Sequence, residues 1–275
     1  MTDDRRQAWA AVRRLPGEGL ALLDGADDPW ARWARGVLLQ ARGDFGQSLR
    51  LLRVTAASGG EIGALSSARI ASGLRQLDAH RTAMPWDARA TRTAVADGWI
   101  GLAADRVGVA DASGAARVLT TVRPRDVRDD IRRSWVSCEI ALLQGHGRAA
   151  TRHAERALRL SLGWGPRHEI KSRLFLAATL RVREPERSVR LIRPALTEAV
   201  RGGLWPLVWP MVAVLGDRAE PGQEAAAVRA VAYIAPRLPT GVGATWLARP
   251  DITAWRAAAG GPTTGTDRTS RTSAS

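Results

Sequence analysis

The sequence predicts an all-α chain, a superhelix of antiparallel helix pairs. Two observations carry this. A turn phrase, Gly43-Asp44-Phe45-Gly46-Gln47 followed by Ser48, returns in altered form at steps of 30 to 38 residues. The flanking segments keep the helical period, and nowhere do aromatic and β-branched residues alternate over a useful length as strands require. A fixed period of this size means stacked supersecondary units rather than one layered domain.

The elements follow in order. Residues 1–26 read as a helical cap, with short helices over 7–15 and 18–24 closed by Pro16-Gly17. Residues 27–200 read as five helix pairs, at 27–57, 64–92, 94–121, 129–161 and 168–200. Their turns are anchored at Gly43, Asp78, Gly108, Gly145 and Arg183. Small residues precede the first four anchors by seven positions: Gly36, Ala71, Gly101 and Cys138. Others follow all five anchors by five positions: Ser48, Ala83, Ser113, Ala150 and Ser188. A third set comes seven further on, at Thr55, Ala90, Thr120, Ala157 and Ala195. Small side chains let paired helices approach closely, so this register predicts where backbones cross. In 131–143, Ile131, Trp135, Cys138 and Leu142 form one apolar stripe and Val136, Ile140 and Leu143 a second, as an inner helix needs. In 149–161, Ala150, Ala154, Ala157 and Ser161 share one face and arginines the other, as an outer helix needs. Loops are expected at 123–130 and at Gly163-Trp164-Gly165-Pro166.

Residues 201–258 read as capping helices. One runs over 204–215, with Pro206 in its first turn and Pro210 as a kink or a later start. A second covers 222–235. A short last helix starts near Pro250, with Asp251 as the expected N-cap. Residues 259–275 lack bulky apolar side chains, which predicts disorder.

These residues resemble the tetratricopeptide repeat family over roughly 30–200. Gly36, Leu39, Gly43-Asp44-Phe45 and Ser48 fit its pattern, and later copies drift. The position after the turn is Phe45, then His80, Ala110 and Gly147. Such drift is similar to that of atypical arrays in bacterial regulators. The resemblance implies a concave groove lined by the first helix of each unit. The lining candidates are Trp30, Trp33, Val37, Arg75, Arg106, Arg132, Trp135, Glu139, Lys171 and Arg181. Trp and Arg are the side chains most often found as interface anchors. The family's clamp for a C-terminal carboxylate needs paired Asn, and this chain has none.

Composition narrows the class. Of 41 basic residues 40 are Arg, which fits a GC-rich genome such as an actinobacterial one. The net charge of +14 is uneven: residues 148–201 hold 13 basic against 5 acidic residues. Arg148, Arg152 and Arg159 form a possible anion-binding face on an outer helix, the alternative being a solvated face tied by Glu155 to Arg159. One cysteine, Cys138, excludes disulfides within the chain and fits a reducing cytoplasm. The N-terminal residues lead into no apolar leader, and no long uncharged apolar run predicts a membrane span.

Catalytic motifs are not found. Lys171 is the one lysine and follows no Gly-rich loop, so a P-loop is excluded. The four histidines lack metal-ligand spacing, and Cys138 sits at a packing position. The expected function is therefore a cytoplasmic, non-enzymatic protein-interaction or regulatory adaptor without catalytic residues, metal or cofactor. Its partner would be another protein or a peptide. The alternatives are nucleic-acid binding through 148–201, or a ligand-sensing repeat domain.

Overall fold

The computed structural model describes residues 2–93 and 96–258; the expectation for the tail lies outside them. Every described regular element is a helix. α1 (Asp3–Val12) and α2 (Pro16–Leu22) precede five pairs. These are α3 (Pro29–Arg42) with α4 (Phe45–Ala57), α5 (Gly60–Gln76) with α6 (His80–Thr91), and α7 (Ala96–Gly108) with α8 (Ala112–Thr121). Then come α9 (Val127–Leu143) with α10 (Gly147–Ser161) and α11 (Pro166–Leu180) with α12 (Pro185–Arg201). α13 (Trp205–Leu215), α14 (Pro221–Ile234), α15 (Val242–Leu247) and α16 (Pro250–Ala258) complete the chain. Consecutive helices pack on one another from α1 through α14, and α16 returns onto α14.

The pairs are held by the small-residue register. Ser48, Ala71, Ala83, Cys138 and Ala150 are fully buried. The Ser48 hydroxyl donates to the Gly36 carbonyl at 2.7 Å, and the Ser188 hydroxyl to the Ala177 carbonyl at 2.8 Å. A Cβ at Gly36 would come within 2.6 Å of Leu52. In the third copy the register differs. Ser113 and Thr120 are exposed, and the left-handed turn residue is Ala110 (φ 62°) rather than Gly108. Counted from Ala110, the buried small residues are Ala103 and Ala115. The turn geometry repeats within four pairs, at Gly43, Asp78, Ala110 and Gly145, and again at Gly203 between α12 and α13, all with positive φ; the α11–α12 turn at Arg183 does not share it. Each next residue donates its N–H back across the turn, to Leu39, Leu74, Arg106, Ala141 and Ala199, at 2.8–2.9 Å. That is the Schellman closure, which satisfies a carbonyl left open at a helix end.

Other boundaries differ from expectation for local reasons. Helix α9 begins inside the expected 123–130 loop, because the Asp126 side chain accepts from Asp129 N–H at 2.8 Å and caps it. Asp251 lies within α16, paired with Arg249 at 3.1 Å, rather than capping it. Leu142 and Leu143 are exposed in the last turn of α9. Pro210 lies inside a continuous α13.

The array does not stay open. At one closure, Arg13 donates to the Trp164 carbonyl at 2.8 Å and Leu15 packs over Gly202, so the N-terminal helices meet the last pairs. At the other, the C-terminal helices fold back on the first turn. Phe45 is buried among Leu77, Val231, Ile234, Trp246 and Ile252. Asp44, nearly buried, faces Arg237 at 2.9 Å and the Tyr233 hydroxyl at 3.3 Å. A chain expected to grow in one dimension thus brings both ends back onto its pairs, and a partly open cavity lies on its inner face.

Candidate functional site

Helices α5, α7, α9 and α11, the first members of four successive pairs, turn one face inward. α9 contributes Arg128, Arg132, Trp135 and Glu139, spaced four, three and four apart on a single stripe. α11 adds Arg167, Lys171 and Phe175 at four-residue intervals. α5 adds Arg69 and Arg75, and α7 an apolar wall of Ile100, Ala104 and Val107. Leu204, Pro206 and Leu207, at the start of α13, cover the remaining side. Together they bound a cavity of about 400 Å³.

Six cations line this space, and their pairing is unequal. Arg128 forks onto Asp97 with two bonds of 2.8 Å, and Arg132 also pairs with Asp97. Arg75 pairs with two buried carboxylates, Asp87 and, at 3.3 Å, Asp105. Burial pushes Asp87 up to about 8, with the neighbouring Asp105 charge adding to the rise against Arg75. Among the described residues, the other three have no carboxylate within ion-pair distance. Arg69 reaches only the Val37 carbonyl at 3.5 Å, and its Nε is buried without a partner. Arg167 makes no hydrogen bond or ion pair among the described residues, and burial, then Arg128, lowers it to about 10. Lys171 lies 4.5 Å from the Trp135 ring centre, and burial lowers it to about 8. Glu139 is the cavity's own carboxylate; it forms no ion pair among the described residues, and burial raises it.

Trp135 is fixed at this site. Its Nε1 donates to the Ser172 hydroxyl at 3.0 Å, and it stacks with His168 at 5.4 Å and Phe175 at 5.8 Å. His168 is held well below its ordinary range by burial and by the surrounding cations, so it is neutral and adds no charge. Chemically the cavity offers guanidinium forks and one ammonium to an anion, and aromatic and aliphatic walls to an apolar body.

The predicted groove residues separate. Arg75, Arg132, Trp135, Glu139 and Lys171 converge on the cavity. Trp33 and Trp30 do not: Trp33 is buried at 4.8 Å from Trp9, and Trp30 packs edge-on against it at 6.0 Å. Val37 joins the same N-terminal core. Arg106 is exposed and pairs with Asp111 at 2.7 Å, and Arg181 is exposed beyond the end of α11. Arg69, Arg128 and Arg167 were not anticipated. Arg128 and Arg167 lie one turn before Arg132 and Lys171, so extending those stripes backward is the signal that finds them.

Arg148, Arg152 and Arg159 are exposed along α10. Glu155 pairs with Arg187 of α12 at 2.9 Å rather than with Arg159. Cys138 is fully buried, and burial pushes its thiol up to about 12, so it packs as a small apolar group. No helix among the described residues is long and apolar enough to cross a membrane. No protein-family model matches the chain, and no curated protein matches it.

Proposed function

We propose that this chain is a non-catalytic regulatory binding protein, a tetratricopeptide-like array that holds an anionic ligand inside and offers outer helices to a protein partner. The observation that carries the reading is the cavity of about 400 Å³ with three cations that have no carboxylate partner among the described residues. Small-molecule sites are concave spaces of roughly 300–1,000 Å³ with few, convergent polar groups. Cations held in a partly dry space without counter-charges are costly, and an anion offsets that cost. The cover from α13 favours ligand sensing over an extended peptide lying in an open groove.

A second reading, docking of an anionic macromolecule, is favoured by Arg148, Arg152 and Arg159, exposed and without ion pairs among the described residues. Nucleic acid fits this face less well, since no aromatic side chains alternate with these arginines for base stacking.

A ligand of the native state stabilises it by mass action. Melting temperature measured across a panel of small anions and their neutral counterparts tests the reading. Anions should stabilise the protein and Arg132→Gln should blunt the effect. Equal behaviour of anions and neutral molecules would overturn it.

A further inference from the structure

We infer that the cavity is built for a phosphate monoester, its dianionic group held by Arg69, Arg167 and Lys171, with Trp135 and Phe175 against the body of the ligand. The inference rests on the anionic-ligand reading and names the ligand's chemistry.

Charge comes first. Among the described residues, three lining cations have no carboxylate partner, and one lining carboxylate, Glu139, has no cation within ion-pair distance. The excess is two positive charges. A phosphate monoester carries about −1.5 to −2 at neutral pH. A monocarboxylate leaves excess charge behind, and a triphosphate brings more negative charge than the site can balance.

Geometry agrees. Guanidinium forks match phosphate oxygens with parallel bonds, and an ammonium serves as a point charge beside them. The buried Arg69 Nε has no hydrogen-bond partner, and an anion oxygen would supply one. Arg167 and Lys171 stand one turn apart on α11, and Arg69 comes from α5, so two helices supply the donors that line the cavity. The Arg167 charge makes Arg69 and Lys171 easier to deprotonate, and Arg69 adds to the effect on Lys171. The cover of Leu204, Pro206 and Leu207 makes the space one for a small molecule.

The test uses the full chain. Inorganic phosphate, succinate and acetate are titrated while tryptophan fluorescence and melting temperature are followed. Phosphate should act at concentrations at least about tenfold below either carboxylate. Arg167→Gln and, separately, Lys171→Gln should each weaken phosphate by about tenfold or more. Both should fold, because each removes a cation from a mutually repelling group.

Pyridoxal 5′-phosphate gives a second readout, because Lys171 is the only lysine of the chain. Its aldehyde condenses with the Lys171 amine, losing water, and borohydride hydride reduces the imine to a stable secondary amine. Peptide mapping should show Lys171 labelled faster by pyridoxal 5′-phosphate than by pyridoxal, with inorganic phosphate protecting it. If carboxylates bind more tightly than phosphate, the phosphate assignment falls and the anionic-ligand reading stands. If no anion acts and the two aldehydes label alike, both fall.

Discussion

Ala110 and Asp78 both hold φ of 62° at turns where the equivalent residues are Gly43 and Gly145. A side chain in that conformation costs about 1–2 kcal/mol, part of which returns as the lower chain entropy of a non-glycine residue. Ala110→Gly should therefore stabilise the protein by about 0.5–1 kcal/mol in urea melts. A loss of stability would mean that Ala110 contributes packing beyond its backbone. At a crossing the expectation is opposite. Gly36→Leu has nowhere to go against Leu52 and should cost about 1–3 kcal/mol. Lys171 adds a pH signature. Its pKa in the folded protein is about 8, against an ordinary 10.5, chiefly because it is buried, with Arg132, Arg167 and Arg69 adding and Glu139 opposing. The folded protein sheds this proton before the unfolded chain does. Stability of the ligand-free protein should thus rise between about pH 8 and 10.5, and Lys171→Met should flatten the rise. Parallel slopes for the two proteins would show that the amine is solvated.

At the scale of an element, α10 separates the two binding readings. Its buried face is Ala150, Ala154, Ala157 and Ser161, and Arg148, Arg152 and Arg159 face outward. Replacing the three arginines by Gln keeps helix propensity, so circular dichroism and melting temperature should not change. Binding of the anionic ligand should also survive. Its loss, with binding intact in Trp135→Ala, would move the working surface to this outer face. The helix pairs were legible because a 3.6-residue period and small crossing residues are local patterns. The third register slipped because Gly108 is the residue type that a left-handed turn prefers, whereas Ala110 occupies it. Helix α15 went unread because six residues are too few to display a period. Of the site, Arg75, Arg132, Trp135, Glu139 and Lys171 were readable from one inward face per inner helix. Trp33 misled because its partner, Trp9, comes from the cap, outside the repeat. The cover by Leu204 and Pro206 was invisible for the same reason: return of the chain's end is a long-range event that no spacing encodes.

For the whole molecule, the closure at Asp44 decides how the enclosure holds. Asp44 receives Arg42, Arg237 and the Tyr233 hydroxyl in a nearly buried position. Asp44→Ala removes the shared acceptor and should cost about 1–3 kcal/mol. Hydrogen exchange should accelerate across 221–258 more than across α9 and α10. Uniform acceleration would show that the C-terminal helices and the array open as one unit.

The joined ends also fix a number. An open array tolerates one unit more or fewer, since each added pair extends a free edge. Here Phe45 packs with Ile234 and Trp246, and Arg13 meets Trp164, so both contacts depend on the helices between them. Duplicating a pair would carry each end past its mate, and deleting one would leave each short. The copy count is therefore arithmetic imposed by closure, as a bracelet fits one wrist only with a given number of links.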